Sequence, residues 1–326
     1  MKQKLLELLQ STEGFLSGQE LSDYLNVSRT AVWKVMKSLE EDGYEIEAVR
    51  NKGYSLKKEP DILTKESCAS RINTKWLGKN LMVYDVTDST NTRLKLAGEQ
   101  GAPNGSVAVA NAQEAGKGRL GRHWETPKGS ALAFSLLLRP QIQPENASML
   151  TLVAALAVSR AIDEYADIKT QIKWPNDIVY QGKKLCGILT EMSADMDQIH
   201  YVIVGIGINV QMTDFPKEIQ NTATSLKLVT GKTLLRNKLL AKVLEEFEVL
   251  YEFVEKLPHI LKPGGRVAIL TFHSGEDRIV KKAFKEMKNS GVYEDVCRNV
   301  IRPTKEECHR NSRAKSTKMR WAIKAK

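Results

Sequence analysis

The chain reads as an α+β protein of three units, and three observations lead there. Short amphipathic helical runs followed by a strand pair occupy about the first 60 residues. Several strand-like runs then succeed one another between helical ones as far as Lys256, the order of a mixed sheet flanked by helices. The last 70 residues hold 17 Lys and Arg against 7 Asp and Glu, while the other 32 cations and 32 anions cancel. The whole net charge of +10 therefore sits in residues 257–326, which marks a separate basic unit with its own partner, nucleic acid being the usual one.

In the first unit, residues 1–60, Leu5, Leu6, Leu8 and Leu9 form the apolar side of a first helix. Gly18 to Leu25 makes a second, with Leu21, Tyr24 and Leu25 expected inward. Asn26-Val27 turns the chain, and Ser28 caps a third helix reaching about Asp42. Val32, Val35, Met36 and Leu39 fall on one buried stripe, which leaves Ser28, Arg29, Thr30, Lys34 and Lys37 outward. Glu45–Val49 and Tyr54–Leu56 then pair around Arg50-Asn51-Lys52-Gly53. This is the pattern of a winged helix-turn-helix. Small polar and basic residues early in the third helix suit the major groove, and Arg50 and Lys52 at the wing tip suit phosphate. One copy binds weakly, so a dimer reading two half-sites is expected.

In the second unit, residues 61–256, strands are expected at Leu81–Val86, Ser106–Asn111, Ala131–Leu138, Gln171–Trp174, Ile178–Tyr180, Lys184–Glu191 and Tyr201–Val210. Helices are expected at Thr92–Gly98, near 147–165 and near 234–254. No run of eighteen apolar residues exists, so no transmembrane helix is expected. Met1-Lys2-Gln3-Lys4 leads into an amphipathic helix and not a signal peptide. Cys68, Cys186, Cys297 and Cys308 lack metal-ligand spacing and read as free thiols of a cytoplasmic protein.

The densest chemistry lies in Gly116-Lys117-Gly118-Arg119-Leu120-Gly121-Arg122-His123-Trp124. Glycines let a ligand approach the backbone, Lys and Arg hold phosphate or carboxylate, and the indole can close over a planar group. The loop is not a Walker A loop, since no Gly-x-x-x-x-Gly-Lys-Ser/Thr occurs. A flexible basic surface loop is the bland alternative. Downstream stand Lys173-Trp174-Pro175-Asn176-Asp177, Lys183-Lys184-Leu185-Cys186-Gly187-Ile188-Leu189 and Val204-Gly205-Ile206-Gly207-Ile208-Asn209. Upstream, Asp88-Ser89-Thr90-Asn91 precedes a helical run.

Taken jointly and in this order, with the leading winged helix, these segments resemble the biotin protein ligases that are also biotin operon repressors. The resemblance spans Met1 to about Lys256. It implies a catalytic fold like that of class II aminoacyl-tRNA synthetases. It also implies two steps: biotin and ATP, with Mg²⁺ on the polyphosphate, give biotinyl-5′-adenylate and pyrophosphate, and a lysine of the biotin carboxyl carrier protein of acetyl-CoA carboxylase then takes the biotin. The adenylate doubles as corepressor, favouring a homodimer on the operator DNA of biotin genes.

Residue by residue, Lys117, Gly118, Arg119 and Arg122 match the family's adenylate-binding loop, expected to order over ligand, and Trp124 packs over the biotin or adenylate. Lys184 matches the lysine that contacts the biotin carboxylate or α-phosphate, with Lys183 solvated. Ser89, Thr90, Asn91 and Gln113 match contacts to the ureido ring. Gly187, Gly205 and Gly207 admit close backbone approach, and Asn209 matches a ribose or adenine-side contact. Asp177 orients or deprotonates the incoming amine. Each has a structural alternative: Ser89 to Asn91 capping a helix, Asp177 in a turn, Asn209 ending a strand. Trp174 reads as core. No protein metal site is expected.

From residue 257 the family's SH3-like barrel is missing. Gly264-Gly265-Arg266 to Phe272-His273-Ser274-Gly275-Glu276-Asp277-Arg278 and Arg313-Ala314-Lys315-Ser316-Thr317-Lys318-Met319-Arg320 resemble instead the C-terminal end of 16S ribosomal RNA cytosine-N4 methyltransferases. The strand at Arg266–Phe272, cut from its usual sheet, is expected to dangle, pair irregularly or promote association. The methyl-donor loop has no counterpart, so an RNA methyltransferase is the weakest of three readings. A biotin-sensing DNA-binding repressor with impaired catalysis is the second, and the bifunctional ligase/repressor is the first. The Lys-Trp-Pro-Asn-Asp run and the winged helix favour biotin over lipoate.

Overall fold

A computed structural model describes residues 1–140, 142, 144, 147–173, 175–195, 198–271, 274–310 and 317–325. Trp174, Phe272, His273 and 311–316, all singled out in the sequence, lie outside the described residues.

The N-terminal unit contains α1 (Lys2–Ser11), α2 (Gly18–Leu25), α3 (Arg29–Glu41), β1 (Glu45–Val49) and β2 (Gly53–Lys58). Leu5, Leu6, Leu9, Leu21, Val32, Met36 and Leu39 close one small core, as the apolar spacing requires. Ser17 and Glu20 form a reciprocal capping box on α2, Asn26 ends it in the left-handed region, and Ser28 caps α3 through the Ala31 N–H at 3.2 Å. Tyr24 corrects the expectation for α2, since it is 69 % exposed. Leu21 and Leu25 already cover the short helix's contact with α3, and Tyr24 falls outside that stripe. The wing pairs antiparallel, and Leu16 exchanges two backbone hydrogen bonds with Tyr54, adding a bridge beside it. Gly53 is required there: its φ is +113°, and a Cβ would run into the Leu16 backbone.

A short α4 (Lys65–Ala69) leads into the second unit. There β3 (Leu81–Thr87), α5 (Thr90–Glu99), β4 (Ser106–Gln113), β5 (Ala131–Leu138), α6 (Ser148–Ala166), β6 (Gln171–Lys173), β7 (Asp177–Tyr180), β8 (Lys183–Ala194), β9 (Ile199–Asn209), α7 (Leu226–Thr230) and α8 (Arg236–Ile260) follow. The strands make a seven-stranded sheet in the order β3-β4-β5-β9-β8-β7-β6. Only β3 and β4 run parallel, so the sheet is mixed as expected.

Strand alternation sorts the two faces. On β9, Val202, Val204, Ile206 and Ile208 join the large core under α6 and α8, as do Leu132, Phe134, Leu136 and Leu138 of β5. The other set, Tyr201 and Ile203 with Leu137 and Leu94, packs beneath α5. Where that second face leaves α5 it carries Ser135, Gly205, Gly207, Asn209 and Gly187 instead of bulky residues. The gap they leave is the candidate site.

Two acidic residues tie the winged helix to this unit. Asp61 accepts from Arg236 N at 2.8 Å and Nε at 2.9 Å, and Arg236, 1 % exposed, also donates to Asn111 Oδ1 and the Ala131 carbonyl. Glu59 pairs with Arg71 and Lys238 and accepts from Gln10 of α1. Burial opposes the ionisation of Glu59, but those cations outweigh it and hold the carboxyl below its usual range.

Beyond α8 come β10 (Arg266–Thr271), α9 (Ser274–Asn289), β11 (Tyr293–Val296), α10 (Lys305–Arg310) and β12 (Lys318–Lys324). The Arg266 strand does not dangle. It pairs with β12 in regular antiparallel register, and β11 completes a three-stranded sheet in the order β10-β12-β11. Val280, Phe284, Tyr293 and Ala322 form its core. Arg320 and Asp277 make a buried bidentate pair at 2.7 and 3.0 Å. The 25-residue α8 runs without a break past Lys256 into this part of the chain.

Candidate active site and DNA-binding face

The polar floor of the site is built at the junction of α5, β4 and β5. Ser89 is the residue before α5, but its side chain makes no capping bond, so its hydroxyl is not spent on the helix. The Gln113 carbonyl accepts from Thr90 N at 2.8 Å and from Thr90 Oγ1 at 3.1 Å, while its amide donates to Thr126 Oγ1. Ser135 donates to Asn91 Oδ1 at 2.6 Å and lies 2.7 Å from Thr90 Oγ1. Asn91 Nδ2 donates to Glu191 at 2.6 Å. These buried amides and hydroxyls hold one another in fixed orientation, as a site that recognises a polar ring demands. Just outside, burial opposes the ionisation of Asp88, yet the Ser89 N–H, the Thr87 hydroxyl and Arg93 hold its carboxyl below the usual range.

Gly205 and Gly207 face this floor. A Cβ on Gly205 would lie 2.8 Å from Asn91 Cγ, and one on Gly207 would meet the Trp124 indole. The glycines therefore admit Asn91 and Trp124 as well as an approaching ligand.

The loop from Gly116 to Trp124 closes on itself. Trp124 N donates to the Gly116 carbonyl at 2.9 Å and Gly118 N to the Arg122 carbonyl at 2.7 Å, with Leu120 at a φ of 57° on the apex. Arg119 donates from Nη1 to Asn176 Oδ1 at 3.2 Å, and Asn176 Nδ2 donates to the Ile188 carbonyl at 2.9 Å. The Pro-Asn-Asp turn thus joins the loop to β8.

Lys184 occupies the centre. Its Nζ stands 2.8 Å from Asp177 Oδ1, off-axis for a hydrogen bond but close enough for an ion pair, and 5.3 Å from the Trp124 ring centre. Its backbone pairs with Thr222 and Thr224, and Asn209 donates to the Thr224 carbonyl, pinning the far wall. Lys183 points to solvent. Beneath, burial pushes the Cys186 thiol up, so it stays protonated and is no nucleophile.

Ser89, Thr90, Asn91, Gln113, Lys117, Gly118, Arg119, Trp124, Lys184, Gly187 and Gly205 all line one narrow slot. Arg122, Asp177 and Asn209 line an adjoining cleft of ≈ 480 Å³ that shares Gly118, Arg119, Trp124 and Lys184 with the slot. Every residue singled out for catalysis or adenylate binding therefore borders one of two connected cavities. Sequence reasoning missed Asn176 as a junction, and Ser135, Thr126 and Glu191 as supports. The Pro-Asn-Asp turn was the available signal for Asn176. Among the described residues no cluster of three His, Cys, Asp or Glu side chains could hold a metal ion.

On the N-terminal unit, Ser28, Arg29, Thr30 and Lys34 lie exposed along α3, and Arg50 and Lys52 are exposed at the wing tip. Trp33, 51 % exposed, shares the α3 surface outside the buried stripe.

A polar slot beside a cationic loop, carried on a mixed sheet behind a winged helix, defines a ligase joined to a DNA-binding unit. Residues 83–209 match the biotin/lipoate A/B protein ligase family, residues 2–55 an HTH domain and residues 238–325 the MraW methylase family. The chain is 44% identical over 254 residues to the bifunctional ligase/repressor BirA of Bacillus subtilis, covering 77% of this chain and 78% of that one. Its C-terminal part is 66% identical over 80 residues to ribosomal RNA small subunit methyltransferase H 1 of Agathobacter rectalis, covering 24% of this chain and 23% of that protein. Among solved structures, biotin protein ligase from Aquifex aeolicus in complex with biotin and ATP shares 39% identity, with a TM-score of 0.48 over 59% of this chain and 83% of that chain. The chain belongs to the bifunctional ligase/repressor family, and it is a biotin protein ligase that carries a repressor's DNA-binding unit. No helix among the described residues is long and apolar enough to cross a membrane.

Proposed function

We propose that the slot holds the bicyclic ring of biotin, the adjoining cleft holds ATP, and Lys184 works at their junction. The observation that carries this is the position of Lys184, shared by both cavities and paired with Asp177. Ser89, Thr90, Asn91 and Gln113 offer donors and acceptors to the ureido group, and Trp124 covers the ring's apolar side. A carboxylate oxygen of biotin bonds to the α-phosphorus of ATP while the bond to the diphosphate breaks. Lys184 offsets the negative charge of both reactants, and Lys117, Arg119 and Arg122 offset that of the leaving diphosphate. Mg²⁺ arrives on the polyphosphate, where it neutralises charge. The resulting mixed anhydride lies between Trp124 and Asn209, which faces its ribose or adenine side.

In the second step a carrier-protein lysine attacks the acyl carbon, AMP leaves, and Asp177 orients the amine and takes its proton. Once Lys184 turns to the adenylate, Asp177 loses its ion-pair partner and is available for that task. The carrier protein is that of acetyl-CoA carboxylase. The adenylate also favours a homodimer whose paired α3 helices enter successive major grooves of the biotin operator. Arg29, Thr30 and Lys34 read it and Arg50 and Lys52 hold phosphate, while Ser28 sets the start of α3. The units follow as residues 1–60, 61–256 and 257–326.

Biotin-dependent exchange of labelled pyrophosphate into ATP tests the site. The full chain supports exchange and Lys184→Ala loses it. A folded wild-type chain that binds biotin but shows no exchange would instead be a biotin-sensing repressor with impaired catalysis.

A further inference from the structure

The C-terminal unit does more than end the chain, because its basic helix faces the ligase site. Residues 278, 281, 282 and 285 of α9 follow the i, i+3, i+4, i+7 spacing of one helical face. That face is open to solvent but borders a cleft. With Lys318 of β12 it lines a cleft of ≈ 910 Å³ whose opposite wall is Thr151 of α6 and Ile188, Leu189, Thr190 and Met192 of β8. Beyond Ile188, which is bonded to Asn176, β8 pairs among the described residues with β9 alone, so this stretch of the wall is a sheet edge.

The charge in the cleft is one-sided. Arg119, Arg278, Lys281, Lys282, Lys285 and Lys318 border it, and Asp277, the one acidic residue among its described lining, is already bound by Arg320. Lys281 and Lys285 are exposed and carry no carboxylate partner among the described residues. The like-charge pair at i, i+4, Lys281 with Lys285, destabilises an isolated helix, and an anion between the two reverses that sign. Arg119 and Asn176 border this cleft, the biotin slot and the ATP cleft alike. Arg119 is therefore the cation that the Lys184 cleft shares with the cleft lined by α9.

We propose that α9 and the open edge of β8 form an anion site for the diphosphate end of the nucleotide, supplied by the methyltransferase-like unit. Its ligand class is inorganic diphosphate or the β,γ end of a nucleoside triphosphate. The source of that ligand rests on the ligase reading above. The cleft itself rests on its own charge and shape.

The test titrates the full chain with pyrophosphate alone by calorimetry, beside Lys281→Gln/Lys285→Gln and Lys281→Arg/Lys285→Arg. Loss of two phosphate contacts weakens pyrophosphate binding roughly tenfold, and the arginine pair restores it. The same glutamine pair raises the concentration of pyrophosphate that inhibits adenylation by a similar factor. Biotin binding, titrated without nucleotide, stays at the wild-type value, and thermal unfolding reports that the variant is folded. Unchanged pyrophosphate affinity in the folded glutamine variant overturns the proposal. So does a loss confined to a short single-stranded RNA, which would make the face an RNA-binding surface. Loss of biotin binding in the wild-type chain would strike the ligase reading and leave the pyrophosphate result standing.

Discussion

Replacing Gly205 by Ala gives a sharp test of how the polar floor of the slot is built. The added Cβ falls 2.8 Å from Asn91 Cγ and 2.9 Å from Nδ2, and closer still to Oδ1. Asn91 cannot give way cheaply, because Ser135 donates to its Oδ1 at 2.6 Å and its Nδ2 reaches Glu191 at 2.6 Å. Moving the amide by the ångström needed strains or breaks both bonds. Overpacking alone costs about 1–3 kcal/mol, and a buried polar group left unpaired costs about 1–3 kcal/mol. We expect a combined loss of about 2–4 kcal/mol, seen as a fall in melting temperature of roughly 5–15 °C for a unit of this size. Biotin affinity falls at least about tenfold, since every 1.4 kcal/mol is a factor of ten. Calorimetric biotin titration and thermal unfolding are read in a double-mutant cycle with Asn91→Ala, where the same glycine change becomes nearly neutral. A Gly205→Ala protein that melts and binds biotin like the wild type would refute this account of the floor.

Three other perturbations separate the remaining parts. Asp177→Asn retains pyrophosphate exchange but slows transfer to carrier protein by about a hundredfold or more, measured in single-turnover assays from preformed adenylate. Glu59 has a depressed folded-state pKa. Its stabilisation is complete above the unfolded carboxyl value and is lost as pH falls through the lower folded one. The melting advantage of wild type over Glu59→Gln, about 1–2 kcal/mol at neutral pH, therefore shrinks on acidification; an advantage that grew toward low pH would contradict the clamp. Arg50→Ala and Lys52→Ala each weaken binding to duplex DNA independently of sequence and reduce the slope of log affinity against log salt by about 1, read by fluorescence anisotropy.

Much of this protein is written locally. The stripe on α3, the Ser28 cap, the alternation on β9 and the cation-glycine loop all repeat over a few residues, so they are visible in one segment at a time. The order of Ser89-Thr90-Asn91, the loop, Lys184 and Asn209 was equally legible, and all of them border the two joined cavities. Tyr24 shows the limit of such reading. On an eight-residue helix one turn of apolar residues spans more than the buried stripe, and only packing decides which side chain is left out.

The sequence by itself determined most of the helices and strands of residues 1–256, which residues are candidates for the chemistry, and that all the surplus charge lies at the C-terminal end. Tertiary structure alone decided the partners. Ser135 and Glu191 support Asn91 from positions 44 and 100 residues away, and Arg236 holds Asp61 across 175 residues. It also decided that Arg266–Thr271 finds β12 and that α9 turns its lysines toward β8. The physical reason is range. Periodicity and capping act within a turn or two of chain, whereas strand register, buried hydrogen-bond networks and shared cavities depend on which distant surfaces the folded core brings within a few ångströms.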